Sequence, residues 1–526
     1  MCQGELTGLH SLVAVRAAVA VPDLSGTATT RGFLHPSPLL TAVPQRRDTR
    51  VDMTTGAISP KLLSLSWPLV AGNLLQTFYN LADMYWVGRV SAEAVAAVSL
   101  MFPTAWLFVS IAMGLTAASV ALVSQHVGAG EDRAADAVVG QTALLTVVVG
   151  IVLSSIGYLF RRPLLELIGA QGQVYTEALA YIEVLFLSIP FTFLFFVFRA
   201  VLRGAGDTRT AMWLVVFSAG LNVVLDPLFI LGYGPIAGMG TRGAAVATLI
   251  ARVFAAVVGV YILLRGDWGV QLHIEDLRPD WEILRKLVGI GYPATLDGAA
   301  RSFAAVAMAA LVARFGPIPT AAYGVGVRLM SVSWTLSGAV GQATATGVGQ
   351  NLGAKTPDRA AEVTWKATVG TLVILFAVGG LLYAFPEPAM RFFIDDAAVV
   401  AEGTDFLRII GPFLAFFGGL MVIQGGFRGA GDTRVAMALS LISRWAMRIP
   451  VALFLAYQWA WTVPLLGVTV AGLGWGPTGI WWAWSLGSLA SFVLGVVWFS
   501  LGRWRKGVLD DGEGEGGPKR PTGADD

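Results

Sequence analysis

The heptapeptide RGAGDTR at residues 203–209 recurs without change at residues 428–434, an offset of 225 residues. The same offset pairs further identical residues, namely Pro68 with Pro293, Gln125 with Gln350, Gly128 with Gly353 and Ala129 with Ala354. Identity at a single offset over so much of the chain indicates a duplication. We therefore predict two repeats, the first over residues 58–280 and the second over residues 281–505.

The composition is typical of a membrane protein. Hydrophobic residues make up 55% of the chain and charged residues 13%, whereas a soluble domain carries about 25% charged residues. So few charges cannot cover the surface of a soluble globule of this size. Apolar stretches of about 20 residues, the length that crosses a bilayer, recur twelve times between residues 62 and 502.

Six apolar stretches fall in each repeat, so both copies enter the membrane from the same side and the two termini share one side. The predicted fold is an all-α integral membrane protein with twelve transmembrane helices, arranged as two parallel six-helix lobes around a central cleft. Lys and Arg are concentrated in the loops on the side of the termini, which predicts cytoplasmic termini in the plasma membrane. Residues 1–57 are interpreted as a disordered extension or a misassigned start, and residues 506–526 as a disordered tail.

The repeated heptapeptide is interpreted as a loop that starts a helix. Asp207 and Asp432 stand where an N-cap is expected, because their side chains can accept hydrogen bonds from the first free backbone N–H groups. The arginines of the heptapeptide are expected to hold the loop in the cytoplasm. The phosphate-binding pattern GxxxxGK[ST] does not occur in the sequence, so we expect no ATPase activity in this chain.

Polar residues form a stripe along the first span. Asn73, Gln76, Asn80 and Asp83 are spaced by three, four and three residues, which places them on one face of a helix. An ionisable side chain at the centre of a span costs roughly 2.5–3.5 kcal/mol on insertion scales. This face is therefore expected to line the interior of the protein and not to meet lipid.

A second stripe runs along the fifth span, where Ser218, Asn222 and Asp226 recur at every fourth residue. Counted along their helices, Asp83 and Asp226 lie at similar depth in the outer half of the first lobe. Two neighbouring carboxylates disfavour joint ionisation, so the pair is predicted to bind a proton. The alternative is that each aspartate only accepts hydrogen bonds at the outer end of its helix.

The second repeat lacks this pair of acids. At the repeat offset, the equivalents of Asp83, Asn222 and Asp226 are Met308, Met447 and Val451. Asp297 and Arg301 lie four residues apart in the seventh span and predict an ion pair along one helix. Arg444 and Arg448 have the same spacing without an evident acidic partner. There are three alternatives for these arginines: they extend to the membrane surface, they pair with a residue on another helix, or they face the cleft.

Pro68 and Gly72 interrupt the first span. A proline removes one hydrogen bond from a helix and permits a bend, so the two residues predict either a hinge or a fixed kink held by neighbouring helices. The substrate-cleft candidates are Asn73, Gln76, Asn80, Ser218 and the adaptable side chain of Met212.

Cys2 is the single cysteine, and the four histidines are scattered. A disulfide within the chain is excluded, and no metal-binding spacing occurs. Nor do the spans contain a nucleophile and base in a catalytic pattern. We therefore predict that the protein is not an enzyme and has no resident cofactor.

Together these features resemble the multidrug and toxic compound extrusion (MATE) family, particularly its archaeal and DinF-like branch. The resemblance covers about residues 58–505. It rests on the duplication, the segment at residues 68–83, the repeated heptapeptide and LNVVLDP at residues 221–227. Several of these motifs are shared with flippases of lipid-linked oligosaccharides.

The resemblance implies a cation-coupled antiporter that exports organic, often cationic, compounds through a cleft between two lobes. The archaeal branch places its proton site at the positions of Asp83, Asn222, Asp226 and Tyr181. Where that branch has a threonine in the sixth span, this chain has Ala244. The network is then either smaller or completed by Thr248, one turn further on.

We therefore expect an antiporter that exports hydrophobic or cationic drugs or metabolites in exchange for protons by alternating access. Sodium is the alternative coupling ion, although members that use sodium often place acids in the second lobe, where only Asp297 is available. The other alternative is a flippase, since an anionic lipid-linked sugar would suit Arg301, Arg444 and Arg448. A monomer in the lipid bilayer without a nucleic-acid partner is expected.

Replacing Arg203 and Arg428 together by alanine is expected to lower membrane insertion or disturb topology, because loop arginines set orientation. Substrate affinity per folded molecule should change less. Quantifying the protein in isolated membranes beside its binding affinity checks this. A normal yield with altered selectivity would instead place these loops at the substrate.

Overall fold

The computed structural model describes residues 50–463 and 468–509. The predicted extension up to residue 49 and the predicted tail from residue 510 lie outside the described residues, and their disorder stays a prediction.

Six long helices make up the first repeat, here called the N-lobe. They are α1 (Ile58–Val87), α2 (Ala92–Ala129), α3 (Asp132–Leu167), α4 (Gly172–Gly204), α5 (Thr208–Ile230) and α6 (Thr241–Arg265). A short antiparallel hairpin joins α5 to α6 and consists of β1 (Gly232–Tyr233) and β2 (Ile236–Ala237). A 3-10 turn at Ile274–Leu277 then leads into the second repeat.

The second repeat, the C-lobe, begins with α7 (Trp281–Ala313), α8 (Pro317–Gly353), α9 (Pro357–Ala384) and the short α10 (Pro386–Arg391). Its next span joins α11 (Ala397–Ile410) to α12 (Leu414–Gly429). The span after that contains α13 (Thr433–Leu441), a π-helical turn (Ile442–Arg448) and α14 (Ile449–Ala456). The hairpin of β3 (Ala460–Val463) and β4 (Val468–Ala471) precedes the last helix, α15 (Pro477–Ser500).

The predicted twelve spans are confirmed in the described parts of the chain, six in each repeat. Ten of them are long and apolar enough to cross a membrane. The remaining two, α1 and α8, have 30 and 37 residues. They are less apolar because α1 carries the polar stripe and α8 is rich in small residues that pack inside the protein. The side of the membrane where α1 begins and α15 ends is called the terminal side below.

The heptapeptide starts a helix in both repeats, as predicted. The side chain of Asp207 accepts from the backbone N–H of Thr210 at 2.9 Å, and that of Asp432 from Val435 at 3.2 Å. Gly206 and the equivalent Gly431 have φ of 93° and 84°, a conformation that side chains disfavour. The two glycines therefore make the turn that aims each aspartate at its helix.

The two lobes meet where α2 and α8 end on the terminal side. Their backbones touch, because a Cβ on Gly128 would lie 1.9 Å from the carbonyl oxygen of Gln350. A Cβ on Gly353 would lie 1.8 Å from the carbonyl oxygen of Gln125. These are residues that the repeat offset pairs, so the pseudo-symmetry axis between the lobes passes through this crossing.

A strap formed by residues 50–57 covers one side of the crossing. Met53 is fully buried, and its N–H donates to Gln350 Oε1 at 2.8 Å. Its carbonyl oxygen accepts from Arg359 Nε at 3.0 Å. The interpretation of residues 1–57 as a disordered extension is therefore wrong for residues 50–57. An apolar side chain with paired backbone groups is enough to fix this segment.

A second strap, residues 503–508, lies at the equivalent place on the other side. The N–H of Val508 donates to Gln125 Oε1 at 2.8 Å, and its side chain lies against Gly431. The prediction of a disordered tail from residue 506 is therefore wrong for residues 506–508. Gln125 and Gln350, which the repeat offset pairs, thus each hold one strap.

Gly353→Ala is expected to destabilise the protein by about 1–3 kcal/mol, because the added methyl group overlaps the α2 backbone. Gly370→Ala is the matched control, since no atom lies within 4 Å of its added Cβ. That control should be neutral or slightly stabilising, because alanine favours a helix interior. Thermal unfolding of the purified variants measures both. Equal melting temperatures would show that the crossing is not closed in solution.

Candidate functional site

The inner face of α1 carries the first residues of the candidate site. Gln76, Tyr79 and Asp83 follow one another at helical spacing on α1, and Tyr79 is buried. The hydroxyl groups of Tyr79 and Thr248, on α6, lie 3.3 Å apart. Thr248 therefore links α1 to α6. The sequence left open whether the network is smaller because of Ala244 or is completed by Thr248, and in the structure Thr248 contacts Tyr79.

Asn222 and Asp226, both on α5, are fully buried beside Thr248. The amide orientation that satisfies Asn222 at both ends has its nitrogen donating to Asp226 Oδ2 at 3.0 Å. Its oxygen then accepts from the backbone N–H of Thr248, also at 3.0 Å. The amide thus joins α5 to α6 and fixes the orientation of the carboxylate.

Asp83 completes the group from the α1 side. Its Oδ1 is buried without a hydrogen-bond partner among the residues that the structure describes. Its charge interacts with Asp226 and with the hydroxyl of Tyr181, which comes from α4. The structure therefore brings together Asp83, Asn222, Asp226 and Tyr181, the four residues predicted for ion coupling.

Arg252 on α6 is a member of the site that the sequence analysis missed. Its guanidinium lies 4.1 Å from the ring centre of Phe195 and 5.9 Å from that of Tyr79, and it donates to Ser218 Oγ at 3.5 Å. Arg199 on α4 is also buried, with an Nε that has no partner in the described chain. Each is an ionisable residue within an apolar span, the same signal that selected Asp83 and Asp226.

The substrate-cleft candidates divide into two groups. Gln76 and Ser218 line a crevice together with Tyr79, Asn222, Thr248 and Arg252. This crevice is too narrow to hold water in the present conformation. Asn73 and Asn80 are not among its lining residues; Asn73 is partly buried, and the exposed Asn80 accepts from Gln76 at 3.4 Å.

Pro68 and Gly72, the predicted hinge, are both buried in α1, which continues as one helix past the proline. A Cβ on Gly72 would lie 3.9 Å from Met212 and 3.7 Å from Val215, both on α5. Met212 therefore packs at the predicted hinge, while the crevice lies nearer to Ser218.

The C-lobe has a different set of charges. The predicted ion pair forms, with Arg301 Nε donating to Asp297 Oδ1 at 3.0 Å. Arg428 also donates to Asp297, at 3.1 Å, and Arg203 donates to Gln342 on α8 at 2.7 Å. The first arginine of each heptapeptide, Arg203 and Arg428, was assigned to topology alone, and the structure adds a second role, because each also donates to a side chain of another helix.

The part of the chain that the structure describes contains no group of three or more His, Cys, Asp and Glu side chains that could hold a metal ion. The polar groups of the N-lobe instead form a network of carboxylates, hydroxyls and one amide.

A duplicated chain with twelve spans and a polar network at membrane depth defines a polytopic membrane transporter. The MatE family model matches residues 68–228 and 293–454, one segment in each repeat. The chain therefore belongs to the MatE family. Members of this family are transporters and not enzymes, and the predicted arrangement of two lobes around a central cleft is confirmed by their solved structures.

Two relatives show how far the similarity extends. The probable multidrug resistance protein YoeA of Bacillus subtilis is 30% identical over 392 residues, which cover 73% of this chain and 84% of the relative. The FAD transporter of Shewanella oneidensis is 30% identical over 370 residues, covering 69% and 80%.

A solved structure has the same fold over nearly its full length. It shows a multidrug resistance MATE family transporter of the MOP superfamily in an outward-facing conformation. The TM-score is 0.78 at 25% sequence identity, and the match covers 88% of this chain and 98% of that chain.

Thr248→Val is expected to destabilise the protein by about 1–3 kcal/mol, because it leaves the buried hydroxyl of Tyr79 without its partner. Thr248→Ser keeps the hydroxyl group and should have a smaller effect. In a double-mutant cycle with Tyr79→Phe, unfolding free energies should be non-additive by about 0.5 kcal/mol or more. Strict additivity would show that the two hydroxyl groups do not interact.

Proposed function

We propose that the protein is a secondary active antiporter that exports hydrophobic or cationic organic compounds in exchange for protons. The observation that carries this proposal is that Asp83 and Asp226 lie within electrostatic range of each other inside the N-lobe. Asp83 has a buried oxygen without a partner among the described residues, and Asp226 is held by the amide of Asn222. One carboxylate is thus available for a proton and the other is fixed in place.

A proton suits this network better than a sodium ion. Sodium requires several oxygen ligands that converge at fixed distances, as hard cations do in general. The nitrogen of the Asn222 amide faces Asp226, and its oxygen is occupied by Thr248. The site therefore offers few free oxygens, whereas a proton needs one carboxylate and the hydroxyl groups around it.

Proton and substrate are coupled by competition. While Asp83 and Asp226 are ionised, they attract a cationic compound that enters the cleft. Protonation from outside removes this attraction and releases the compound. Because the two binding events are linked through one site, a proton gradient drives export.

The element proposed to move is α1. It carries Asp83 near one end and Pro68 and Gly72 in its first half, so a change at the carboxylate can alter how α1 bends. When α1 bends, Asn73, Gln76 and Asn80 would face the substrate. Ser218 and Met212 on α5 would lie on the opposite side of it.

The proposed orientation places both termini in the cytoplasm and the protein in the plasma membrane as a monomer. The α2–α8 crossing closes the terminal side. With cytoplasmic termini, the present conformation would be closed to the cytoplasm at this crossing.

A flippase of lipid-linked sugars is the second candidate. The buried arginines of the C-lobe favour it, because they would pair with an anionic head group. The acids and amides of the N-lobe favour the antiporter.

Asp83→Asn and Asp226→Asn should each reduce proton-driven export at least about tenfold, because asparagine mimics the protonated carboxyl group and cannot titrate. The measurement is export of a fluorescent cationic dye from proteoliposomes, with the purified protein, an imposed pH gradient and no sodium. Met308→Leu, at the C-lobe equivalent of Asp83, is the matched control and should retain transport.

Transport that requires sodium would contradict proton coupling. Transport that survives both asparagine substitutions would show that the N-lobe acids are not the coupling site. Thermal unfolding of each variant, measured in parallel, separates a loss of coupling from a loss of fold.

A further inference from the structure

Four arginines lie together inside the C-lobe. Arg301 belongs to α7, Arg428 to α12, and Arg444 and Arg448 to the π-helical turn. Arg301 and Arg428 both donate to Asp297, and Arg444 lies within electrostatic range of the other three arginines. Among the residues that the structure describes, Asp297 is the carboxylate that forms ion pairs with this cluster. Positive charge therefore exceeds negative charge by three in the arginine cluster.

Within the described residues, the hydrogen-bond partners of Arg444 and Arg448 are hydroxyl groups. Arg444 donates to Ser440 Oγ, and Arg448 donates to Ser488 Oγ at 3.4 Å. Arg448 is 7% exposed, and its Nε has no partner in the described parts of the chain. A guanidinium held away from water is costly unless an anion pairs with it. The cluster therefore lacks negative charge.

The arginine cluster occupies the C-lobe equivalent of the N-lobe crevice. At the repeat offset, Arg301 corresponds to Gln76 and Arg444 to Ala219, and both of those residues line the crevice. In the last span of each repeat the offset is 236, set by Gly243 and Gly479. The same offset relates Ser488 to Arg252. The second repeat thus has arginines at the positions of Gln76 and Ala219 and a serine at the position of Arg252.

An open apolar groove lies between α7 and the span that begins with α13, on the helix faces next to those that carry Arg301 and Arg444. Its volume is about 690 Å³, and on its wall Trp445 Nε1 donates to the carbonyl oxygen of Ala300 at 3.2 Å. Trp445 follows Arg444 in the chain, and Ala300 precedes Arg301. The groove is lined by Leu296, Phe303, Met437 and Leu441 in addition to these two residues.

We propose that the arginine cluster binds the anionic group of an amphipathic organic compound, such as a carboxylate or sulfonate, and that the apolar groove holds the apolar part of the same compound. Guanidinium groups bind such oxyanions through charge-assisted hydrogen bonds. The ring of Trp484, 4.8 Å from the Arg448 guanidinium, holds that side chain in position. This ligand class goes beyond the cationic compounds of the proposed function.

The test uses the purified full-length chain in an uncharged detergent, without any gradient. Pyrenebutyrate is the anionic probe, and its trimethylammonium analogue is the cationic one. Binding is followed by energy transfer from tryptophan to pyrene. Arg444→Gln with Arg448→Gln should weaken pyrenebutyrate binding at least about tenfold, because charge-assisted hydrogen bonds are lost. Binding of the cationic probe should not weaken.

Two controls separate charge from fold. Arg391→Gln removes an exposed C-lobe arginine and Met447→Leu alters the same π-helical turn, and both should leave pyrenebutyrate binding unchanged. Replacing Arg444 and Arg448 by lysine should restore part of the affinity. If the glutamine pair does not fold, Arg444→Gln alone carries the same expectation, since Arg444 is only half-buried.

Unchanged pyrenebutyrate binding in the glutamine pair would overturn the proposal, as would equal weakening for both probes. Nanodiscs of phosphatidylcholine, with and without phosphatidylglycerol, distinguish the other source of anions. Loss of pyrenebutyrate binding on adding phosphatidylglycerol would assign the cluster to a lipid and also overturn the proposal. Asp83→Asn should still bind pyrenebutyrate, so a failure of proton coupling and a failure of anion binding are separate results.

Discussion

Hydrocarbon offers no partner for a hydrogen bond, and this constraint decides where the polar side chains of the spans lie. In the N-lobe, Asn222 holds Asp226 and contacts Thr248, which in turn contacts Tyr79. In the C-lobe, Asp297 is shared by Arg301 and Arg428. Among the described residues, Asp83 Oδ1 and Arg448 Nε are buried without a hydrogen-bond partner, and the proposed proton site and the proposed anion site are located at these two groups.

The two repeats have kept their backbone plan and diverged in charge. In both repeats the same heptapeptide, with an aspartate N-cap and a glycine of positive φ, leads into the first helix of the fifth span, which is α5 or α13. The interiors differ, since Asp83 and Asp226 correspond to Met308 and Val451. Backbone geometry must match for the lobes to pack about one axis, whereas the side chains at these interior positions differ between the lobes.

The contact between the lobes uses small residues where the backbones approach. Gly128 and Gly353 admit the carbonyl oxygens of the opposite helix, and Gln125 and Gln350 hold the two straps. Any motion that opens the terminal side must break these contacts together. The two straps, residues 50–57 and 503–508, therefore depend on the closed arrangement of the lobes.

The sequence by itself determined the duplication, the twelve spans, the helix caps and the polar stripes of α1 and α5, because each depends on spacing along one helix or on an exact repeat. It also predicted the Asp297–Arg301 pair, whose members are four residues apart. Tertiary structure alone decided that residues 50–57 and 506–508 are ordered, since their partners Gln350 and Gln125 are distant in the chain. It likewise decided that Thr248 joins the N-lobe network and that Arg428 meets Asp297, because contacts between helices depend on how those helices pack.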